Sequence, residues 1–588
     1  MKKMLSQLLP AFPHTCVAAD GTTPLDDADA RNIPVTALEF DSRAVTDGTL
    51  FFALPGLHEH GNRYIPEALM RGATAIVFQG ELSHETQIAA AEAVARRTLS
   101  DLASATATPV VPAFIKVSDA RFAMAPIADA FYDSPSQRLI VIGVTGTEGK
   151  SSTVSFIWQL LRACGKKAGF ISTVAYSLGG DAIPNPEHQT TPEAPIIQYM
   201  LNALLENGCT YAVIETSSHG LSTQTNRLGN VLFDCAVCMN VTLEHLEFHK
   251  TFEQYRSDKA NLFRALDRHD HCKLIAGTNV RVPAVGIVNL EDAAAQYFIE
   301  STTHPVYGFT TDGMAGAAAA ETGDSATPLP PIPGGIRYMK ARNIAAARYG
   351  LTCTIDAHSP DAVFRTTDDP AVPQEHTILQ VTAPLPGAFN VYNLMAALIA
   401  VSSVTELPFA DIAQHIPELM PVPGRMTVID AGQPFEVIVD YAHTPSSFET
   451  ILPPIRKRCA GKLFAVFGSG GERDVTKRPL QGAIAARFCD IVVLTDEDPR
   501  GEDPLEIIQM ITEGAEEAGK KRDTDLFLIP DRKQAIRTAF RMAHDDDIVL
   551  LLGKAHENSI IYSDRVLPYD ETAEAQSALF ELGFSQGH

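Results

Sequence analysis

The fold is decided by the stretch Leu139-Ile140-Val141-Ile142-Gly143-Val144-Thr145-Gly146-Thr147-Glu148-Gly149-Lys150-Ser151-Ser152. Its first half is almost entirely apolar, which is typical of a strand buried in a parallel sheet. A glycine-rich turn follows, and the apolar periodicity of residues 153–163 predicts a helix after it. Because N–H groups at such a strand–helix turn point at anions, the stretch predicts a loop that binds nucleotide phosphates.

Two residues of this loop predict its chemistry. Lys150 is expected to reach the outer phosphates, and the hydroxyl of Ser151 is expected to ligate Mg²⁺. The common phosphate-loop pattern has another glycine five residues before Gly149, where this chain has Val144, so the loop is a variant. A glycine-rich turn that binds nothing is the alternative. The register of strand, loop, Lys-Ser pair and helix favours phosphate binding.

Length and composition narrow the class of protein. The chain of 588 residues is long enough for about three or four domains, and its content of 45% apolar and 20% charged residues is typical of a soluble globular protein. The net charge of −24 argues against nucleic acid or an anionic membrane as the main partner. The nine cysteines show no paired metal-binding spacing, and no apolar run is long enough to span a bilayer. We therefore expect a cytoplasmic protein with reduced thiols, no signal peptide and no membrane insertion.

The N-terminal third predicts a small α/β domain. Residues 34–78 alternate short apolar strands with turns and one helix. The segment Asp41-Ser42-Arg43 could hydrogen-bond a polar ring or a diphosphate, although an ordinary polar turn is the favoured interpretation from composition alone. A linker is predicted near residues 133–136.

Polar clusters follow two further apolar strands in the central third. Glu215 follows the strand at residues 211–214, and Glu244 and His245 follow the strand at residues 234–240. A carboxylate at the carboxyl end of a parallel strand, beside a phosphate loop, is placed to hold Mg²⁺ directly or through water. These strand ends therefore predict a functional edge of the sheet.

Three other features of the central third are interpreted as structural. Helical spacing puts Lys259 on the polar side with Tyr255, which predicts a solvated surface lysine. The composition of residues 311–336, rich in alanine, glycine and proline, predicts a flexible insertion. Asn390 and Asn393 open an alanine-rich helix, where they could cap the helix or contact a base.

The last third predicts a second doubly wound α/β domain. Apolar strands at residues 436–439, 463–467, 491–494 and 547–552 alternate with helical segments, and a charged cluster follows each strand. Carboxylates bind ammonium groups, and arginine binds carboxylates bidentately. The mixed clusters therefore suit a zwitterionic substrate.

Five motifs in one order carry a resemblance to the Mur ligase family. They are the phosphate loop, Glu215-Thr216-Ser217-Ser218-His219, Asn240 with Glu244-His245-Leu246, Asp440-Tyr441-Ala442-His443-Thr444-Pro445 and Gly553-Lys554-Ala555-His556-Glu557. The resemblance runs from Asp41 to about Asp570 and is strongest to the members that add the third, diamino residue of the peptidoglycan stem peptide. It implies an α/β protein of three domains, namely a UDP-substrate domain at 1–136, an ATP-binding ligase domain at 137–422 and a Rossmann-like amino-acid domain at 423–588.

The resemblance also implies a reaction. The D-Glu carboxylate of UDP-MurNAc-L-Ala-D-Glu attacks the γ-phosphate of ATP to give an acyl phosphate and ADP, and the amine of a diamino acid then displaces phosphate. ATP and Mg²⁺ are the implied cofactors, the implied setting is cytoplasmic peptidoglycan precursor synthesis, and a monomer is expected. The rival readings are a folylpolyglutamate synthase-like ligase and a phosphate-loop NTPase or nucleotide-binding protein without ligase activity.

Site residues follow from the resemblance position by position. Those implied to bind ATP are Thr145, Gly146, Thr147, Glu148, Gly149, Lys150, Ser151, Asn393, Arg425 and Asp440. Those implied to bind the UDP-MurNAc-dipeptide are Ser42, His58, Thr190, Thr191, Ser217, Gln224 and Arg227. Those implied to bind the amino acid are Arg473, Glu497, Asp498, Arg500, Gly553 and Glu557. The implied metal ligands are Ser151, Glu215, His245 and a carbamylated Lys259, and the implied catalytic residues are Lys150, Glu215, His245 and Lys259.

Two departures from the family pattern matter most. Glu148 stands where the family usually has asparagine, which adds a charge beside the phosphates. Asp498 stands where enzymes specific for meso-diaminopimelate have asparagine, so a donor for a distal carboxylate is replaced by an acceptor for ammonium. We therefore expect L-lysine or L-ornithine rather than meso-diaminopimelate. Arg500 could bind either a distal or an α-carboxylate and keeps meso-diaminopimelate possible.

Overall fold

The computed structural model describes residues 1–24, 32–56, 59–104, 111–186, 189–242, 244–312, 336–358 and 377–584. These residues form three α/β units in chain order, each built on its own sheet and each with apolar side chains packed on both faces of that sheet. The predicted three-domain α/β architecture is confirmed.

The N-terminal unit contains a five-stranded sheet. Four neighbouring strands are parallel, and the edge strand at the other side is antiparallel to them. In spatial order the strands are Thr15–Val17, Ala113–Val117, Ala75–Gln79, Thr49–Ala53 and Ala37–Glu39. Its α-helices are Leu5–Leu8, Ile65–Arg71, His84–Ser104 and Ala120–Phe131.

The central unit contains an eleven-stranded sheet, seven strands of which are parallel. In spatial order the strands are Ile183–Pro184, Ala175–Ser177, Ala168–Ile171, Tyr211–Glu215, Ile140–Thr145, Cys235–Cys238, Val285–Asn289, Val306–Thr311, Arg337–Ala347, Gly350–His358 and Thr377–Ala383. The strand Ile140–Thr145 lies between Tyr211–Glu215 and Cys235–Cys238, so the three strand ends that carry the predicted polar residues meet at one edge.

Helices cover both faces of this sheet. They are Lys150–Ala163, Ala194–Glu206, Ser218–Leu221, Leu246–His249, Phe252–Leu266, Ala295–Ile299, Asn390–Thr405 and Phe409–Ala413. Lys150–Ala163 packs with Asn390–Thr405 on one face, and Phe252–Leu266 packs on the other. Gly143 makes the second contact possible, because a Cβ at that position would lie 2.5 Å from Leu262 Cδ1.

The C-terminal unit contains a six-stranded sheet that is parallel apart from its first edge strand. In spatial order the strands are Thr427–Ile429, Glu436–Asp440, Ile548–Leu552, Leu463–Phe467, Ile491–Leu494 and Leu526–Leu528. Its helices are Pro445–Arg458, Lys477–Phe488, Pro504–Glu517, Arg532–Met542 and Glu571–Glu581. The two edge strands, Thr427–Ile429 and Leu526–Leu528, were not among the predicted strands.

Smaller elements join these units. Two-stranded pairs form between Lys3–Met4 and Pro34–Val35, between Cys272–Ile275 and Thr278–Arg281, and between Ser559–Ile561 and Val566–Pro568. Short 3-10 helices lie at Leu9–Ala11, Ser42–Ala44, Gly61–Tyr64, Pro135–Gln137 and Ile416–Glu418.

Several further expectations can be compared with the structure. The helix after the phosphate loop begins at Lys150, three residues earlier than its apolar periodicity predicts. All nine cysteines are free thiols. Within the described ranges, every helix is too short or too polar to cross a membrane. Most of the predicted insertion at 311–336 lies outside the described residues.

A buried ion pair in the C-terminal unit generates a stability prediction. Arg532 Nη2 lies 2.6 Å from Glu571 Oε1, and both side chains are fully buried. Arg532→Met would leave the Glu571 carboxylate buried without its cation, at a cost of about 3–5 kcal/mol in unfolding free energy. Scanning calorimetry should show a lower transition temperature for this unit.

The matched control is Arg565→Met in the same unit. Arg565 pairs with Asp564 at 3.1 Å, but both side chains are exposed. Its loss should cost about 0–1 kcal/mol. Equal shifts for the two variants would contradict the assigned importance of the buried pair.

Candidate active site

A cavity of about 1060 Å³ lies between the central and C-terminal units. The phosphate loop and the ends of the neighbouring central strands line one side, and strand ends of the C-terminal unit line the other. The predicted site residues that line it are Thr147, Glu148, Gly149, Lys150, Ser151, Thr190, Glu215, Ser217, Arg227, His245, Asn393, Arg425, Asp440, Arg473, Glu497, Asp498, Arg500 and Glu557.

The phosphate loop is a backbone cradle that requires glycine. Gly149 has φ of +82°, and a Cβ there would lie 2.6 Å from Asn393 Oδ1. The N–H groups of Thr147 and Glu148 both donate to Asn240 Oδ1, at 3.1 and 2.8 Å. Lys150 Nζ donates to the Thr147 carbonyl at 2.7 Å. Asn240 thus occupies these two N–H groups, and the Lys150 ammonium and the N-terminus of helix Lys150–Ala163 are the features that suit an anionic phosphate chain.

Oxygen ligands for a hard cation lie beside this loop. Ser151 Oγ donates to Glu215 Oε1 at 3.1 Å, and Thr173 N–H donates to the other oxygen of the same buried carboxylate at 2.9 Å. Arg425 Nη2 lies 3.3 Å from Ser151 Oγ. Hydroxyl and carboxylate oxygens at this spacing are the donor set that Mg²⁺ prefers, so these residues fit the metal that the resemblance implies.

Lys259 corrects the expectation drawn from helical spacing. Its side chain is buried, with 2% of the residue exposed. Nζ donates to the Gly146 carbonyl at 2.6 Å and lies 4.6 Å from the centre of the Tyr255 ring. Burial, and then the charge of Lys150, lower the pKa of Lys259 to about 7. The prediction of a solvated lysine was wrong, because spacing along a helix does not reveal what lies opposite its polar side.

His245 and Glu244 lie at the next strand end. His245 adopts φ of +57°, a left-handed conformation that non-glycine residues adopt mostly where the surrounding structure enforces it. Its Nε2 lies 3.7 Å from Glu244 Oε2, and His443 Nε2 from the C-terminal unit lies 3.9 Å from Glu244 Oε1. Burial, and then the charge of Lys477, lower the pKa of His443 to about 4, so its imidazole is neutral near pH 7.

The predicted ATP-binding residues outside the phosphate loop are Asn393, Arg425 and Asp440. Asn393 Oδ1 accepts from Thr153 Oγ1 at 3.2 Å. The guanidinium of Arg425 lies 4.8 Å from the centre of the Tyr441 ring. The buried carboxylate of Asp440 accepts from the N–H of Met426 at 2.7 Å and of Ala442 at 2.8 Å, and burial raises its pKa. Asp440 thereby fixes the segment that carries Arg425.

Asp498 is already paired within the protein. Lys554 Nζ lies 2.9 Å from Asp498 Oδ1 and 2.5 Å from Glu557 Oε2. The N–H of Ile561 donates to the same Asp498 oxygen at 2.9 Å. The buried Lys554 therefore offsets the negative charge on which the amino-acid preference was argued from sequence.

Glu497 has the free carboxylate in this part of the cavity. Its Oε2 is buried and has no hydrogen-bond partner among the described residues, and burial raises its pKa. Gly553 makes room for it, since a Cβ there would lie 2.5 Å from Glu497 Oε2. Arg473 and Arg500 line the cavity nearby, and neither forms an ion pair within the described part of the chain. Among the described residues, the C-terminal side of the cavity thus offers the carboxylate of Glu497 and the guanidinium groups of Arg473 and Arg500 without an ion-pair partner.

The remaining predicted residues lie elsewhere. Thr145 and Gly146 precede the cavity-lining part of the loop, and Thr191 Oγ1 lies 3.0 Å from Ser217 Oγ behind the cavity wall. Ser42 donates to Glu67 Oε2 at 2.9 Å within the N-terminal unit. Gln224 is exposed outside the cavity. His58 lies outside the described residues.

Sequence reasoning gave no role to four residues that shape the site. Asn240, His443 and Lys554 stand inside motifs that were recognised, so their positions could have been found from those motifs. Lys477 lines the cavity and donates to the His443 carbonyl at 3.2 Å. It lies between two strand ends in the sequence, and nothing in its local pattern distinguishes it from a surface lysine.

Comparison with known proteins shows which family this chain resembles. Three family models match in order: Mur ligase family, catalytic domain at 34–132, Mur ligase middle domain at 144–328, and Mur ligase, glutamate ligase domain at 424–555. The chain is 48% identical over 549 residues to the UDP-N-acetylmuramyl-tripeptide synthetase of Treponema pallidum (strain Nichols), which covers 93% of each chain. It is 35% identical over 553 residues to the UDP-N-acetylmuramoyl-L-alanyl-D-glutamate--2,6-diaminopimelate ligase of Geobacillus kaustophilus (strain HTA426), covering 94% of this chain and 96% of the relative.

Solved structures agree with this result. A UDP-N-acetylmuramoyl-L-alanyl-D-glutamate--2,6-diaminopimelate ligase matches with a TM-score of 0.55 and 25% identity, over 97% of this chain and 100% of its own. The MurF ligase of Thermotoga maritima, solved in complex with ADP, shares the fold with a TM-score of 0.54 at 15% identity, over 95% of this chain and 98% of its own.

The two glycines that flank helix Lys150–Ala163 allow a matched test of the cradle. Gly149→Ala should weaken binding of a non-hydrolysable ATP analogue by about tenfold or more, because its Cβ meets Asn393 and overpacking costs about 1–3 kcal/mol. Gly165 has φ of +73°, but a Cβ there meets no atom within 4 Å. Gly165→Ala should therefore retain the affinity, measured by calorimetric titration. Equal weakening in both variants would mean that backbone strain, rather than the cradle, governs binding.

Proposed function

This chain belongs to the Mur ligase family of ATP-dependent ligases, and we propose from that premise that it joins a diamino acid to UDP-MurNAc-L-Ala-D-Glu in the cytoplasm. Two observations support the proposal. The family matches extend in order from residue 34 to residue 555, and the relatives of similar length are tripeptide synthetases or diaminopimelate ligases. The cavity also brings predicted ATP-binding residues and predicted amino-acid-binding residues to one place, which supports ligation there.

The reaction brings a carboxylate to a triphosphate, so like charges have to be neutralised. The N–H groups of the phosphate loop and Lys150 would hold the phosphates while the D-Glu carboxylate attacks the γ-phosphorus. This step forms an acyl phosphate and releases ADP. The amine of the diamino acid then attacks the acyl carbon, and phosphate leaves. Closure between the units would keep water from hydrolysing the acyl phosphate.

Ser151, Glu215, His245 and a carbamylated Lys259 would hold Mg²⁺ in this site. The bound metal would supply positive charge between the phosphates and the attacking carboxylate. The position of Lys259 supports the carbamate, because a neutral amine is the form that adds CO₂, with loss of a proton. Its buried Nζ lies at the loop carbonyl of Gly146, and its pKa of about 7 makes the neutral form accessible near neutral pH.

The UDP-MurNAc-dipeptide would bind through the N-terminal unit and the edge of the central one. The residues proposed to contact it are Ser42, His58, Thr190, Thr191, Ser217, Gln224 and Arg227. Arg227 supports this placement, since it lines the cavity and its guanidinium donates to the Thr191 carbonyl at 2.8 Å and to Glu193 Oε1 at 2.9 Å. Arg121 of the N-terminal unit donates to the same Glu193 oxygen at 3.0 Å, so this group of charges joins the two units.

L-lysine or L-ornithine is the diamino acid that we propose, and Glu497 is the observation that carries it. A buried carboxylate oxygen without a partner is costly unless an ammonium group completes it. Asp498 and Glu557 already share the buried Lys554, so Glu497 is left to bind the side-chain ammonium, and one of the two arginines can bind the α-carboxylate. The second candidate is meso-diaminopimelate, because Arg473 and Arg500 together could bind two carboxylates.

Phosphate release tests this assignment directly. With ATP and UDP-MurNAc-L-Ala-D-Glu present, L-lysine or L-ornithine should stimulate release more than meso-diaminopimelate does. Glu497→Gln keeps the shape and removes the charge, and it should raise the KM for the amine-ended substrate by about tenfold to a hundredfold. Asp498→Asn should have the smaller effect, because Lys554 already pairs with Asp498.

If the enzyme preferred meso-diaminopimelate, Arg473 and Arg500 would be the residues that select the amino acid, and the role given to Glu497 would be refuted. If no diamino acid stimulated phosphate release, the ligase proposal itself would fail and an ATP-binding protein with another substrate would remain.

Lys259 provides a test of the metal site that does not depend on the choice of amino acid. Lys259→Ala should abolish ligation almost completely, and a short carboxylic acid such as acetate should restore part of it by replacing the carbamate. Lys259→Met is the matched control, because its side chain fills the space that the acid needs and should prevent rescue. Wild-type activity in Lys259→Ala would disprove the assigned role.

A further inference from the structure

The side chain of Glu148 leaves the phosphate loop and contacts the C-terminal unit. Its Oε1 accepts from Ser446 Oγ at 3.0 Å and lies 3.2 Å from Thr444 Oγ1. Thr444 caps helix Pro445–Arg458, and its hydroxyl accepts from the Ser447 N–H at 3.1 Å. The contact therefore joins the loop to the first turn of a helix in another unit.

A second contact joins the same helix to the central unit. Thr242, which follows a neighbouring central strand, has its Oγ1 3.3 Å from Ser446 Oγ. Ser446 thus inserts between Glu148 and Thr242, both of which belong to the central unit. On the same interface, Arg425 Nη2 lies 3.3 Å from Ser151 Oγ. Four polar contacts consequently hold the C-terminal unit against the loop and the strand end beside it.

The charge of Glu148 makes the direction of its side chain important. A carboxylate aimed at the phosphates would repel them, and the adjacent Glu244 has the same sign. The backbone of Glu148 stays within the loop, where its N–H donates to Asn240 Oδ1 at 2.8 Å. The hydroxyls of Thr444 and Ser446 hold the carboxylate on the other side. Asparagine at this position would be shorter by one methylene group and would not reach as far.

We propose that Glu148 is a positioning residue that docks the C-terminal unit, with its amino-acid site, onto the phosphate loop. This rests on the proposed function, in which an amine carried by the C-terminal unit attacks an acyl phosphate formed at the loop. Small errors in the placement of reacting groups reduce rates strongly. A direct hydrogen bond from the loop to the moving unit would limit such errors.

Reciprocal variants test the contact. Glu148→Ala and Ser446→Ala should each raise the KM for the amino acid by about tenfold, the effect of losing a charge-assisted hydrogen bond. The Kd of UDP-MurNAc-L-Ala-D-Glu, which the other two units would bind, should not change. The double variant should cost less than the sum of the two single variants, because both remove the hydrogen bond between Glu148 and Ser446. Glu148→Gln keeps an acceptor oxygen at the same reach and should restore most of the loss.

Thr450→Ala is the matched control for a hydroxyl on the same helix. Thr450 Oγ1 donates to the Ser446 carbonyl at 2.8 Å, a bond within the helix itself, so its loss should not couple to Glu148. Additive effects of Glu148→Ala and Ser446→Ala, or equal losses of affinity for both substrates, would overturn the proposal.

Small-angle X-ray scattering separates this proposal from the proposed function. Glu148→Ala should increase the radius of gyration relative to wild type, whereas Glu148→Gln and Thr450→Ala should not. An unchanged radius in Glu148→Ala would refute docking even if the enzyme ligates. If the radius of gyration increased but the protein ligated no diamino acid, the docking role of Glu148 would be supported and the ligase function refuted.

Discussion

The hydrogen bond from Lys259 Nζ to the Gly146 carbonyl ties the phosphate loop to the helix behind it. An ammonium group is rarely buried unless it is paired, and here a backbone carbonyl and an aromatic face surround it at the end of the central strand. Gly143 contributes to this packing, because it lets helix Phe252–Leu266 approach that strand closely. The loop, the helix and the strand are therefore one packed assembly, and the cavity forms around it.

Charge balance explains the rest of the site. On the loop side, Lys150 and Arg425 line the cavity beside the buried carboxylate of Glu215. Toward the C-terminal unit, Lys554 pairs with Asp498 and Glu557, Glu497 Oε2 has no partner among the described residues, and two arginines stand without ion pairs within the described ranges. A zwitterion complements this arrangement, because its ammonium group has Glu497 as a partner and its carboxylate has an arginine. Water would screen these interactions in an open cleft, so their strength depends on the units staying together.

The sequence predicted the layers and strand ends well because buried parallel strands are continuous apolar runs. The strands at 463–467 and 491–494 were placed without error, and the phosphate loop was recognised from its glycines and Lys-Ser pair. Edge strands such as Leu526–Leu528 were missed, because a strand of three residues at the edge of a sheet is too short to show a clear apolar periodicity. Lys259 was misplaced for a related reason, since the spacing of its own helix does not show that the Gly146 carbonyl, more than a hundred residues away in the chain, lies against it.

Asp498 and Glu497 show that residue type alone does not predict which carboxylate is free in the folded site. Both are carboxylates in one motif, and the sequence singles out Asp498 because it departs from the family pattern. In the structure, Asp498 is already paired with Lys554 and accepts from the Ile561 N–H. Glu497 Oε2 has no partner within the described residues, so Glu497 is the carboxylate that is free to bind a ligand. A substitution that creates a charge can thus be neutralised by the protein, and the residue next to it can retain the free charge. Selectivity for a substrate then depends on which carboxylate remains unpaired, which is a property of the folded site rather than of the motif.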